Sequence, residues 1–291
     1  MPPIIHCVRH GQGLHNVGGG CYTLPDPRLT PAGQSQCESL RTGSFFDQSK
    51  ISLVISSPMC RTLETASLVF HPALTSTLNP QKIIALPDAQ ELSNDPCDTG
   101  SNPDILKRIV EKEKWPVDLS LVKEGWNKKT KAGSRYRHSN EAIRARARDT
   151  RLFLRVKLRE LVSLHGNDDV AIVLVTHGGF LHYLTDDWED ADSHPGTGWY
   201  NCETRAYVFE SHVWSDSDGE AWLVETRESR SRRGKDHPMY KKKDQAKLFT
   251  AAMESWEGQG LQRPDEVDMN LEVDDLQRIG TPPQDAQDIC L

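Results

Sequence analysis

The chain has 291 residues, of which 36% are hydrophobic and 26% charged, with a net charge of −7. That length supports one sizeable α/β core, while the acidic balance argues against nucleic-acid binding through the whole surface. No apolar run exceeds the six residues Val170 to Val175, so nothing in the sequence reads as a membrane-spanning helix.

The N-terminus, Met1-Pro2-Pro3-Ile4-Ile5-His6, has neither the basic start nor the long apolar stretch of a signal peptide, which makes the cytoplasm the expected compartment. Ile4 to Val8 reads as a first strand, Pro31 to Phe46 as a helix, and Leu53 to Ser56 as a second strand. A helix is expected from Cys60 to Phe70, and a third strand from Ile83 to Leu86. Residues 95–139, rich in Lys, Arg, Gly, Pro and Trp, read as a lid-like excursion. Asn140 to His165 follows with helical spacing, and Val170 to Thr176 is the continuous aliphatic run of a strand covered on both faces. Such alternation predicts an α/β fold with a mainly parallel central sheet and helices on both faces.

Beyond residue 225 the composition changes. Residues 226–262 are basic and read as a solvated helical extension; residues 263–291 are acidic, lack core-forming aromatics and read as a disordered tail. The seven cysteines are odd in number and form no C-x-x-C pair, so neither a zinc signature nor a disulfide framework is expected.

In open parallel sheets, functional groups collect at the carboxyl ends of strands. Three such ends carry Arg or His beside Gly or Ser: Arg9-His10-Gly11-Gln12-Gly13-Leu14-His15-Asn16, Ser56-Ser57-Pro58-Met59-Cys60-Arg61-Thr62, and Thr176-His177-Gly178-Gly179. Two histidines and two arginines at one sheet edge make a cationic pocket suited to a tetrahedral dianion, since guanidinium forks pair with phosphate oxygens. Gly178 and Gly179 open a helix whose N–H groups add anion-binding dipoles. A neutral imidazole held at its other nitrogen is a competent nucleophile toward phosphorus, and the arginines supply the positive charge, so no metal or cofactor is called for. An arginine at the start of a helix is disfavoured by the helix dipole, so Arg61 calls for an anion.

These elements resemble the histidine phosphatase superfamily, in its phosphoglycerate mutase-like branch. Besides Arg9-His10-Gly11, the resemblance rests on Leu29-Thr30-Pro31-Ala32-Gly33, on Ser56-Ser57-Pro58 with Arg61-Thr62 and Thr65-Ala66, and on Val175-Thr176-His177-Gly178-Gly179. It implies a catalytic domain over residues 1–225 with His10 as the nucleophile that becomes phosphohistidine. Arg9, Arg61 and His177 would hold the phosphoryl group, with Gln12, Asn16 and Gly178 lining its site. Glu91 is the implied proton donor, with Asp88, Asp95 and Asp98 as rivals. Gly13 stands where the family usually has Ser or Thr, and His15 is outside the commonest pattern and reads as peripheral. The variant R-H-G-Q-G-x-H-N resembles fungal and plant-type members and points away from glycolytic mutases.

The activity expected is hydrolysis of a small-molecule phosphate monoester. The alternatives are phosphoglycerate mutase-type transfer and a non-catalytic phosphate-binding module. No nucleic acid partner or membrane span is expected, and neither the substrate nor the oligomeric state is written in the sequence.

Overall fold

The computed structural model describes residues 2–18, 20–43, 45–76, 81–130, 133–165, 170–193, 196–215 and 217–267. Its strands are β1 (Ile4–Arg9), β2 (Ile51–Ser56), β3 (Ile83–Ala85), β4 (Val117–Asp118), β5 (Ala171–Thr176), β6 (Thr204–Phe209) and β7 (Leu223–Glu225). They form one sheet in the order β4-β3-β2-β5-β1-β6-β7. The strands from β4 to β1 in that order run parallel, while β6 and β7 pair antiparallel at the far edge.

Period-two patterning splits the core between the two faces. Ile5, Cys7, Ile172 and Leu174 point into one cluster; Val8, Val54, Val173 and Val175 point into the other. The helices are α1 (Pro31–Thr42), α2 (Cys60–Val69), α3 (His71–Leu74), α4 (Pro103–Glu113), α5 (Asn140–His165), α6 (Gly178–Thr185), α7 (Arg227–Arg232) and α8 (Lys242–Gly258). Residues of α1, α2 and α4 fill the second cluster, and residues of α5, α6 and α8 the first. The expected α/β sandwich is therefore present.

Local sequence explains where the helices begin. Thr30 caps α1 by accepting from the Gly33 N–H at 3.0 Å, with Pro31 at the first helical position. That helix stops at Thr42, earlier than the expected Phe46, because Gly43 follows and Phe46 turns back to pack against His6 and Phe70. Helix α2 lacks a capping side chain of its own; Asp26 supplies one from a distant loop, accepting from the Cys60 N–H at 2.8 Å.

Two expectations about organisation are revised. The segment 95–139 is more than an excursion: it donates edge strand β4, Leu106, Val110, Val122 and Trp126 enter the core, and Asp95, Cys97 and Asp98 line a cavity beside His10. Trp126 lies so close over Gly100 that a Cβ there would meet its ring at 2.1 Å. Residues 226–262 are not a solvated extension. Ala252, Met253 and Trp256 of α8 are buried in the first core cluster, and the basic residues around α7 pair with acids of the sheet domain. Arg230 reaches Glu225 and Glu189, Arg233 reaches Glu225, and Lys235 reaches Asp190. Of the expected acidic tail, residues 268–291 lie outside the described residues.

Trp256→Ala should therefore lower global unfolding free energy by about 3–5 kcal/mol in a denaturant titration, since it also removes the Trp256 Nε1 bond to the Ala191 carbonyl. An appended helix would leave that value unchanged.

Candidate active site

The order β2-β5-β1 places three loop starts side by side. Backbone pairing continues one step beyond the strands: the His10 N–H donates to the Thr176 carbonyl at 3.0 Å, and the Ser57 N–H to the Val175 carbonyl at 2.9 Å. His10 and His177 consequently face each other, with ring centroids 5.2 Å apart.

His10 is buried, and its Nδ1 lies 2.7 Å from the Gly11 carbonyl. That carbonyl only accepts, so Nδ1 carries the proton and Nε2 the lone pair. Arg61 Nε donates to that same Nε2 at 3.2 Å, which fixes the tautomer from the other side. Burial, then the charges of Arg61 and Arg9, hold the His10 pKa well below 6.5. The ring is neutral, and its Nε2 lone pair accepts from Arg61, which must release it before the nitrogen can act as a nucleophile.

The glycines of the first two motifs meet here. A Cβ on Gly33 would come within 2.1 Å of the Gln12 carbonyl, and one on Gly11 within 2.8 Å of the Gly33 carbonyl. Close approach of two backbones explains both glycines.

Arg61 sits in the first turn of α2 and is fully buried. Its Nη1 donates to the Cys97 carbonyl at 2.6 Å and its Nη2 to Asp98 Oδ1 at 2.8 Å. Arg9 donates to the Trp199 carbonyl, leaving its buried Nε without a protein partner. His177 Nε2 pairs with the Ser57 hydroxyl at 2.9 Å, and its Nδ1 is likewise without a partner. Burial, followed by Arg61, keeps His177 neutral.

Glu91 reaches the N-terminus of α6, where its carboxylate accepts from the N–H groups of Leu92, Gly179 and Phe180 at 3.0, 3.3 and 3.0 Å. Burial and the nearby Asp98 charge nevertheless raise its pKa, favouring the protonated acid. Its rivals are employed elsewhere. Asp88 pairs with Arg135 through both oxygens. Burial pushes the Asp98 carboxyl up, but Arg61 and Lys129 outweigh it and hold the group below its ordinary value. Asp95 accepts from the Gln262 amide at the rim.

The remaining expected residues divide. Asn16 lines the pocket, with its Oδ1 accepting from the Gly13 N–H at 3.0 Å. Gly178 lies beside Arg9 Nε, and a Cβ there would make the Thr197 hydroxyl, 2.0 Å away, swing aside. Gln12, Arg61, His177 and Gly178 are not among the residues lining the cavity; the Gln12 amide oxygen accepts from the Thr30 hydroxyl at 2.7 Å.

Three residues have places here that sequence reasoning did not give them. His15 is buried in the pocket wall, 5.4 Å from the His10 ring, with its pKa lowered to about 2 by burial and then Arg61. Asp98 fixes Arg61, and Lys129 is buried beneath, its Nζ donating to the carbonyls of Glu91 and Ser93 at 2.7 and 2.8 Å. The unusual His15-Asn16 pair was the available signal for the first; no local pattern announces the other two. Among the described residues, no group of three His, Cys, Asp or Glu side chains is arranged to hold a metal ion.

Fold and site together define an α/β protein with two histidines and two arginines gathered at the carboxyl edge of its sheet. The chain belongs to the histidine phosphatase superfamily (branch 1), whose family model matches residues 5–215. It is 29% identical over 252 residues to phosphoglycerate mutase-like protein 1 of Arabidopsis thaliana, covering 74% of this chain and 83% of that one. A probable phosphatase of Schizosaccharomyces pombe is 34% identical over 105 residues, which is 36% of this chain and 48% of that protein. Among solved structures, the ecdysone phosphate phosphatase of Bombix mori aligns with a TM-score of 0.46 at 16% identity, covering 70% of this chain and 88% of that one.

Arg61→Lys keeps the charge but cannot reach His10, Cys97 and Asp98 together. The inhibition constant for inorganic phosphate should rise about 10- to 100-fold, corresponding to one or two charge-assisted hydrogen bonds; an unchanged constant would remove Arg61 from the anion site.

Proposed function

We propose that this protein is a phosphatase that hydrolyses a small-molecule phosphate monoester through a phosphohistidine on His10. The observation that carries this reading is the placing of His10, its Nδ1 held by the Gly11 carbonyl and its Nε2 facing Arg61, in the same pocket as the Glu91 carboxyl group.

In the first half-reaction His10 Nε2 attacks phosphorus and the bond to the ester oxygen breaks. The departing oxygen takes the Glu91 proton and leaves as the alcohol. The Nδ1–H bond to the Gly11 carbonyl supports the positive charge that the ring acquires. Arg9, Arg61 and His177 stabilise the equatorial oxygens, with Asn16 and the Gly178 N–H at the rim of that site. In the second half-reaction the Glu91 carboxylate takes a proton from water, the oxygen attacks phosphorus, and the P–N bond breaks to return neutral His10 and phosphate. The arginines and neutral imidazoles meet the charge requirement, so turnover is expected to survive a chelator. A mutase would return the phosphoryl group to substrate and require a bisphosphate primer.

We place the protein in the cytoplasm on its thiols. Its seven cysteines are scattered and odd in number and form no C-x-x-C pair, which fits a reducing compartment. Among the described residues, no helix is long and apolar enough to cross a membrane.

His10→Ala should abolish phosphate release with chelator present, and retained turnover would sink the nucleophile assignment. The pH profile has a definite sign. Because the folded His10 pKa lies well below 6.5, activity should persist below the pH at which an ordinary histidine protonates. It should fall on the alkaline side as Glu91 loses its proton. Glu91→Gln should cut kcat/KM, which reports the first half-reaction, about 10²- to 10⁴-fold for an alkyl phosphate and far less for p-nitrophenyl phosphate, whose leaving group needs no proton. Equal losses on both esters would contradict the acid role.

A further inference from the structure

The cavity in front of His10 has a volume of about 130 Å³. Two kinds of wall surround it. Leu92, Trp256 and Leu261 present apolar surface, and Tyr22 adds a half-exposed ring. The lining also holds Asp98, already paired with Arg61, and Asp95, which accepts from the Gln262 amide.

Charge is distributed unevenly. Among the described lining residues, Arg9 is the only Lys or Arg. Lys129 lies behind the wall, with its Nζ bonded to the carbonyls of Glu91 and Ser93. Once a phosphoryl group occupies Arg9 and Arg61, no further Lys or Arg among the described residues lines the space for the alcohol portion of the substrate, while the Asp95 carboxylate does. A substrate carboxylate would lose its water there without gaining a cation, and would meet a like charge.

Much of this wall lies outside the family match. Trp256, Leu261 and Gln262 follow the last matched residue, 215. They are fixed at the pocket by specific bonds: Gln262 Nε2 donates to Asp95 Oδ1 at 2.8 Å, and the Asn94 N–H donates to Gln262 Oε1 at 3.2 Å. The segment after α8 thus contributes part of the cavity surface.

We infer that this pocket selects phosphate monoesters of uncharged alcohols with an apolar face, and discriminates against esters whose alcohol carries a carboxylate, such as phosphoglycerates. This rests on the phosphatase reading above and narrows it to a substrate class.

Three esters of primary alcohols separate the outcomes: benzyl phosphate, glycerol 3-phosphate and 3-phosphoglycerate. The last two differ only in a hydroxymethyl group against a carboxylate, so their ratio isolates charge. For the wild-type full chain, kcat/KM should be highest for benzyl phosphate. It should be about tenfold higher for glycerol 3-phosphate than for 3-phosphoglycerate, which corresponds to about 1.4 kcal/mol. Asp95→Asn, which keeps the shape and an accepting oxygen, should narrow that last gap several-fold.

A wild-type preference for 3-phosphoglycerate over glycerol 3-phosphate overturns the class assignment while leaving the phosphatase reading standing. A gap that Asp95→Asn leaves unchanged overturns its electrostatic origin. If no ester is hydrolysed by a folded wild-type chain, the phosphatase reading itself fails and the class assignment falls with it.

Discussion

A single buried guanidinium organises the site. Arg61 is withdrawn from water, and an unpaired charge in that position would be prohibitively costly. It is retained by three partners from two separate parts of the chain: the His10 ring after β1, and the Cys97 carbonyl and Asp98 carboxylate side by side in the 95–139 segment. The ring and the carboxylate are themselves held. His10 is locked through Gly11, and Asp98 accepts from the Ser93 hydroxyl at 2.6 Å. Lys129 then ties down the carbonyls of Glu91 and Ser93. The loop that carries Glu91 is thereby set by the same network that points the nucleophile.

The electrostatic result is a division of labour between groups that would otherwise titrate together. Burial and the arginine charges suppress protonation of His10 and His177, while burial favours the neutral form of Glu91. Asp98 remains a carboxylate despite burial because Arg61 and Lys129 compensate it. One acid thus has its pKa raised beside another that stays ionised against a cation, so the two carboxyl groups are pushed apart in their titration.

Much of this was legible because its residues follow strands. Arg9-His10, Ser57 and Thr176-His177 lie at carboxyl ends, and sheet adjacency converts sequence separation into proximity. The helix start at Pro31 carried its own cap, and the helix Asn140–His165 carried its own spacing. Other features depended on tertiary partners that no local pattern specifies. Asp98 meets Arg61 across 37 positions. The two-residue strand β4 exists only by pairing with β3. Helix α8 looks solvated by composition because few of its residues touch the core, yet those few, including Trp256, are large and buried. Gln12 and His15 exchange their expected places because residues of an irregular loop face opposite ways, a choice made by the Thr30 hydroxyl and by the pocket wall.

The central claim is covalent: the phosphoryl group passes through His10 Nε2. Its most direct test is rapid-quench labelling with a radiolabelled phosphate ester in Glu91→Gln, where an activated leaving group permits the first step and loss of the base slows the second. Label on the His10 peptide, stable in alkali and lost in acid, is the predicted result. Label absent throughout a turnover that releases phosphate, or found on another residue, would contradict it.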